Sequence, residues 1–101
     1  MSAGQPAGFN ELLHAPVRLS IVSLLAPAVH VEFGFLREAT GMTDSALSKQ
    51  IGALQDAGYV ELKRTGRRAT VRLTEPGRAA LAAHARALRA MLGVALDAGP
   101  H

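Results

Sequence analysis

The stretch TDSALSKQIGALQDAGYV, residues 43–60, has the pattern that decides the fold. Thr43 is a good helix N-cap because its hydroxyl can accept a hydrogen bond from a free backbone N–H, and Asp44 puts negative charge at the positive end of the helix dipole. Leu47, Ile51 and Leu54 follow at i, i+4 and i+7, which places three large apolar side chains on one face. Gly58 is a typical C-terminal stop. The stretch therefore predicts an amphipathic helix with one buried face.

The outward face of this helix is small, polar and basic. At 100° per residue, the positions opposite or beside the apolar stripe are Ser45, Ala46, Ser48, Lys49, Gly52 and Ala53. A merely solvated helix more often carries long Glu and Lys side chains there, whereas small residues allow the helix axis to approach another surface. Such a slim basic face is suited to a DNA major groove.

A shorter helix is predicted just before this one. Residues 32–40 form an amphipathic segment with Phe33, Leu36 and Ala39 facing inward, and Gly41 is a favourable residue for ending it. Two short helices joined by a turn of about three or four residues that contains glycine form a helix-turn-helix arrangement.

The chain upstream supplies more helix and one short strand. Residues 9–13 have the pattern of a short amphipathic helix, and Pro16 suits the first turn of the next one. That next helix, about Pro16–Leu25, is apolar nearly all round, which predicts either a central core helix or a face given to a partner subunit. Residues 29–31 predict a brief edge strand.

A basic hairpin follows the long amphipathic stretch. Residues 59–64 (YVELKR) and 69–73 (ATVRL) alternate apolar and polar side chains, with Thr65-Gly66 at the turn, which predicts two antiparallel strands sharing an apolar face. Five of the eleven Lys and Arg residues lie at or beside the turn: Lys63, Arg64, Arg67, Arg68 and Arg72. This clustering turns a modest net charge of +3 into a local anion-binding surface.

The last predicted helix has a regular apolar seam. Thr74 caps a helix running from Glu75 to Leu92 or somewhat beyond, with Pro76 tolerated in its first turn. Apolar residues recur at spacings of 4, 3, 4 and 3 along it: Leu81, Ala85, Leu88, Leu92 and Ala95. A seam of this kind resembles a coiled-coil contact, and a second copy of the chain is the predicted partner.

Length and composition limit the remaining possibilities. The chain of 101 residues predicts one domain, and its 49% hydrophobic content is enough for a core. The absence of cysteine excludes disulfides, thiolate metal sites and thiol redox switches. Without a secretory signal pattern or a long apolar run, the sequence predicts a cytoplasmic protein that does not partner a membrane.

Taken together, the elements resemble the winged helix-turn-helix domains of bacterial transcriptional regulators in the MarR/ArsR-like group, in its short single-domain branch. The resemblance lies in HAPVRLSIVSLL (14–25), FGFLREATGMTDSALSKQIGALQDAGYVELKR (33–64) and RRATVRLTEPGRAAL (67–81). It implies an α+β, mainly α fold with a three-helix core, a hairpin wing and a C-terminal dimerisation helix. The predicted boundaries are a disordered tail at 1–8, the domain at 9–92 and a second tail at 93–101.

Members of this group bind pseudo-palindromic operators as homodimers, with the recognition helix in the major groove and the wing over the adjacent minor groove. The resemblance thus implies a sequence-specific transcriptional regulator acting as a repressor on double-stranded DNA. The implied recognition-helix contacts are Thr43, Ser45, Ala46, Ser48 and Lys49. The implied wing contacts are Lys63, Arg64, Arg67, Arg68 and Arg72. The implied dimerisation residues are Leu81, Ala85, Leu88 and Leu92.

Several other interpretations compete with this one. A winged helix can serve as a protein–protein interaction module or bind DNA without sequence preference, and a small-molecule effector of unspecified kind remains open. His14, His30 and His84 invite a metal-sensor interpretation, but they lack cysteine neighbours and ligand spacing, and lone histidines more often lie at surfaces or helix ends. We expect no cofactor, no metal and no catalysis, because no nucleophile or acid–base pair is evident.

Overall fold

A computed structural model describes residues 6–97, which form five helices around a small sheet. The elements are α1 (Glu11–His14), α2 (Pro16–Leu25), β1 (Val31–Glu32), α3 (Phe33–Thr40), α4 (Asp44–Asp56), β2 (Val60–Thr65), β3 (Arg68–Leu73) and α5 (Glu75–Asp97). The strands pair antiparallel in the order β1-β3-β2, so the short strand lies at an edge as predicted. This order of elements confirms the predicted winged helix fold. No helix within residues 6–97 has both the length and the apolarity needed to cross a membrane.

The core is built on the apolar stripe of α4. Leu47, Ile51 and Leu54 are at most 2% exposed, which confirms the predicted orientation of this helix. The residues that surround the stripe come from α1, α2, α3 and the sheet: Leu13, Ile21, Val22, Leu25, Leu36, Val60, Val71 and Leu73. Full burial of one such side chain is worth about 1.5–3 kcal/mol. The apolar α2 is therefore a central core helix.

Both ends of α4 are fixed by local hydrogen bonds. At the start, the Thr43 hydroxyl accepts a hydrogen bond from the Ala46 N–H at 3.1 Å, which confirms the predicted cap. At the end, the Gly58 N–H donates to the Gln55 carbonyl and the Tyr59 N–H donates to the Leu54 carbonyl, both at 2.9 Å. Gly58 has a φ of 82°, so the helix ends in a Schellman motif.

We call the hairpin β2–β3 the wing (residues 60–73). Apolar and polar side chains alternate along its strands as predicted. Its turn lies one residue later than the predicted Thr65-Gly66, because Thr65 still pairs with Arg68 across the ladder. Gly66 has a φ of 62° and stands first in the two-residue loop, the position that glycine occupies in a type II′ turn.

Two details of the region around α3 were predicted wrongly. The edge strand covers Val31–Glu32 and not residues 29–31, so α3 begins at Phe33 and not at residue 32. Ala39 is exposed, because Leu36 and Phe33 alone supply the apolar contacts of this two-turn helix with the core. Gly41 ends α3 with a φ of 69°, as predicted.

The start of α5 is locked against the end of α4. The Thr74 hydroxyl accepts a hydrogen bond from the Gly77 N–H at 3.1 Å and donates one to the Gly58 carbonyl at 2.6 Å. The Thr74 N–H donates to the Tyr59 carbonyl at 3.0 Å. A Cβ at Gly77 would collide with that same carbonyl of Tyr59. Only glycine permits so close an approach between α5 and the residue that precedes β2.

His84 ties the N-terminal segment to α5. Its Nδ1 accepts a hydrogen bond from the Asn10 N–H at 3.0 Å. Its ring centroid lies 5.0 Å from that of Phe9 and 5.4 Å from that of His14. His84 is fully buried, so the expectation that the lone histidines lie at surfaces or helix ends was wrong for it. The tertiary contact with Phe9 and Asn10 overrides that expectation.

Burial also alters the titration of His84. Its Nε2 is buried and has no hydrogen-bond partner among residues 6–97. Desolvation, and to a smaller extent the charge of His14, lower the pKa of His84 below its ordinary value. Folding therefore favours the neutral imidazole over the charged form.

The predicted tails are only partly covered by the structure. Residues 1–5 and 98–101 lie outside the described part. Gly8, assigned to the first tail, already lies against α5, since a Cβ there would be 3.0 Å from the Ala83 carbonyl oxygen. At the other end α5 continues to Asp97, so residues 93–97 are helical.

We expect Gly77→Ala to lower the free energy of unfolding by about 1–3 kcal/mol, because the added methyl must push α5 away from Tyr59. Gly52→Ala is the matched control, since a Cβ at Gly52 meets nothing within 4 Å and alanine is the better helix former by about 1 kcal/mol. Urea unfolding compares the two. Equal destabilisation by both substitutions would contradict the close contact at Gly77.

We also expect stability to fall as the pH is lowered below about 6.5, because the unfolded chain then binds a proton that folded His84 resists. The loss amounts to at most about 1.4 kcal/mol per pH unit and ends once the pH falls below the lowered pKa of the folded state. In His84→Asn, the side-chain oxygen replaces Nδ1 as acceptor without titrating, so the dependence should flatten. His30→Asn, at an exposed position, is the control. A pH dependence unchanged in His84→Asn would refute the assignment.

Candidate nucleic-acid interface

The rotation of α4 leaves its predicted contact face open. Ser45, Ser48 and Lys49 are exposed, and Ala46 is half-buried. Thr43 is exposed as well, and although its oxygen accepts the capping hydrogen bond, its O–H remains a potential donor. The structure thus places all five predicted residues of the helix on or beside one accessible surface.

Beside this face lies a cleft of about 460 Å³ between α4, α3 and the wing, which we call the arginine cleft. Its charged lining consists of four arginines and two carboxylates: Arg37, Arg64, Arg67, Arg68, Glu32 and Asp44. Ser48 of α4 also lines it. The cleft therefore joins one predicted residue of the helix to three predicted residues of the wing, with positive charge in excess.

The two carboxylates of the arginine cleft each have an arginine partner. Arg37 Nη1 lies 2.9 Å from Asp44 Oδ1, and Arg68 Nη1 lies 3.9 Å from Glu32 Oε1. Arg64 and Arg67 make no ion pair within residues 6–97, so their charges are available to an anion from outside.

The two remaining wing residues lie on the other face of the hairpin. Lys63 and Arg72 line a second surface together with Glu61 and Arg68. Glu61 stands directly opposite Arg72 in the strand register, and its carboxylate lies 2.9 Å from Arg72 Nη2. Alternation along the strands places Lys63, Arg68 and Arg72 on this face and Arg64 on the cleft face. Arg68, next to the turn, lines both surfaces.

Arg37 is a cleft residue that the sequence analysis missed. It lies in the last turn of α3, and its side chain crosses the turn to reach the first residue of α4. The hydrogen bond and the charge of Asp44 raise the pKa of Arg37 further above its ordinary value. The available signal was a basic residue at the end of one helix and an acidic residue at the start of the next.

A second arginine supports α4 from its other side. Arg18 Nε donates to the Leu12 carbonyl at 2.6 Å, and its Nη1 donates to Gln50 Oε1 at 2.8 Å. This half-buried side chain links α1, α2 and α4. The predicted contact face of α4 therefore has a polar contact on each flank.

The seam predicted for dimerisation divides into two parts. Leu81 packs partly against the protein's own core, and Ala85 and Leu88 are half-buried. Beyond Ala87, the last buried residue described, Met91 is 38% exposed and Leu92 is 60% exposed. The side chain of Ala95 lies outside the described residues. The later half of α5 thus presents apolar side chains to the surroundings.

Comparison with known proteins relates these features to a family. Residues 17–92 match the model of a family described as winged helix DNA-binding domain. An uncharacterized protein of Methanocaldococcus jannaschii is 32% identical over 74 residues, which are 69% of this chain and 80% of that protein. The biofilm growth-associated repressor of Xylella fastidiosa is 37% identical over 75 residues, or 72% of this chain. These residues span 63% of the repressor, so the likeness covers less than two thirds of its length.

Two solved structures show the same fold. The transcriptional repressor BigR from Xylella fastidiosa matches with a TM-score of 0.64 and 34% identity, over 79% of this chain and 78% of that one. A homodimeric winged helix-turn-helix DNA-binding domain from Mycobacterium bovis, described as a possible ArsR-family transcriptional regulator, matches with a TM-score of 0.65 and 29% identity. That match covers 89% of this chain and 80% of the other.

Proposed function

The chain belongs to the winged helix DNA-binding domain family, and on this basis we propose that it binds operator DNA as a homodimer and represses transcription in the cytoplasm. One observation carries the proposal: the slim face of α4 opens beside the arginine cleft. A polar helix face that fits a groove, flanked by cations that attract phosphates, is the combination needed for sequence-specific DNA binding. The proposed role is DNA binding without catalysis.

The proposed readout of bases comes from α4. Lys49 is exposed at the centre of the outward face and can donate hydrogen bonds to guanine O6 and N7. Ser45 and Ser48 can donate to or accept from base edges, and Ala46 is small enough to leave the helix close to the groove floor. The operator contacts are therefore concentrated on a few short side chains.

The wing supplies the proposed backbone and minor-groove contacts. Arg67 lies in the hairpin turn and Arg68 follows it, so either can enter a narrow minor groove, where the potential is most negative. The proposed phosphate contacts are Thr43, Lys63, Arg64 and Arg72. Among them Arg72 must exchange its Glu61 partner for a phosphate, so we expect it to contribute least.

The proposed dimer uses α5. Toward its C-terminal end, α5 carries the exposed Met91 and Leu92, beyond the part that packs on the domain. Leu88 and Leu92 both belong to the predicted seam. The homodimeric state of the Mycobacterium bovis domain supports the same assembly here. Two recognition helices related by a two-fold axis would read half-sites about 10 base pairs apart, or a multiple of that distance.

We expect Arg67→Ala with Arg68→Ala to weaken binding to every DNA sequence. Without these cations in the minor groove, binding releases fewer counterions, so the slope of log K against log salt should also become shallower. Arg86→Ala with Arg89→Ala removes the same charge from exposed positions on α5 and is the control. Fluorescence anisotropy over a salt series measures all three proteins. If the wing variant binds DNA as tightly as the parent protein at moderate salt, the wing assignment is wrong.

We expect Lys49→Ala to change the preference among sequences, because a good bidentate contact discriminates between bases by about 1–3 kcal/mol. Lys63→Ala, which removes a proposed phosphate contact, should instead weaken binding to all sequences alike. Competition binding against a panel of single-base variants of a selected site separates the two effects. An unchanged order of preference in Lys49→Ala would remove Lys49 from base readout.

A further inference from the structure

We propose that Arg37 is a phosphate-binding residue of the DNA interface, and that Asp44 occupies the place of the phosphate while the protein is free. The inference rests on the proposed function and adds a third element, α3, to the recognition helix and the wing. It also gives a role to the one carboxylate at the start of the recognition helix.

The position of Arg37 fits a backbone contact. Its side chain is 43% exposed and that of Asp44 is 67% exposed, so both can be reached by a large partner. Arg37 lines the arginine cleft together with Arg64, Arg67 and Ser48. In the proposed complex, α4 contacts bases in the major groove and the wing contacts the adjacent minor groove. The DNA backbone that separates these two grooves then passes between α4 and the wing, at the mouth of this cleft.

The chemistry of the pair fits an exchange. The guanidinium has five N–H donors, and its only hydrogen bond within residues 6–97 is the one from Nη1 to Asp44 Oδ1. Phosphate and carboxylate oxygens are both acceptors that arginine binds in a fork geometry. An exposed ion pair contributes little to stability, so a phosphate can displace the carboxylate without unfolding the turn. The released Asp44 stays at the positive end of the α4 dipole.

In this arrangement Asp44 lowers the affinity for all DNA. It holds Arg37 in the free protein, and its negative charge stands beside the incoming phosphate. The alternative role for the pair is a structural brace across Gly41–Thr43, the turn between α3 and α4. The two roles predict opposite effects of removing Asp44, which makes them separable.

The test measures binding of the full chain to a fluorescently labelled mixed-sequence duplex over a salt series, with thermal unfolding of each protein. A mixed sequence suffices because phosphate contacts do not depend on the bases. We expect Arg37→Ala to weaken binding about three- to tenfold near physiological salt and to reduce the salt slope by about 0.9 for each protomer. Asp44→Asn should tighten binding several-fold, with little change in melting temperature. Weaker binding and a lower melting temperature in both variants would show a brace and overturn the proposal.

A double-mutant cycle tests the exchange itself. If Asp44 acts through Arg37, the gain from Asp44→Asn should shrink in the Arg37→Ala background. An equal gain in both backgrounds would show that Asp44 only repels DNA and would overturn the exchange.

Arg86→Ala, which removes one charge from an exposed position on α5, is the control for a general charge effect. A wild-type chain that binds no duplex would overturn the proposed function and this inference together. If the wild type binds and Arg37→Ala matches it in affinity and salt slope, only the assignment of Arg37 fails.

Discussion

Burial of the apolar stripe of α4 sets the rotation of that helix, and the surface offered to a partner follows from it. Leu47, Ile51 and Leu54 occupy the core, so the residues about half a turn away must face outward. A shift of the stripe by one residue would rotate the helix by about 100° and bring Ser48 toward the core. The Thr43 cap and the Gly58 stop oppose such a shift by fixing both ends of the helix. The contact face is therefore a consequence of core packing.

The remaining elements add charge and rigidity around that face. Strand register sends Arg64 toward α4 and pairs Arg72 with Glu61 on the other side of the wing. Arg18 and Arg37 reach α4 from its two flanks through Gln50 and Asp44. These contacts make the candidate interface a composite of α3, α4 and the wing. In the proposed complex, electrostatic attraction and groove fit come from different elements, so substitutions should separate affinity from sequence preference.

Local sequence patterns predicted the parts of the fold that local physics decides. The bounds of α2 followed from Pro16 and a continuous apolar run, and the cap of α4 followed from Thr43. Features that depend on tertiary contact were missed. The hairpin turn lay one residue off because cross-strand pairing sets it, and His84 is buried because Phe9 and Asn10 cover it. Arg37 escaped notice because its partner lies across a turn. The ten predicted DNA contacts remain predictions, although the structure shows that Lys63 and Arg72 lie away from the arginine cleft.

The most direct test of the account is selection of bound sequences from a random double-stranded DNA pool at about 0.1–0.15 M salt. The oligomeric state of the protein should be measured in the same buffer. The account predicts an enriched inverted repeat, with half-sites about one helical turn apart or a multiple of that, bound by a dimer. Binding without enrichment would contradict sequence-specific regulation and indicate a sequence-neutral DNA-binding protein. No binding at all would contradict the DNA-binding role and favour a protein–protein interaction module.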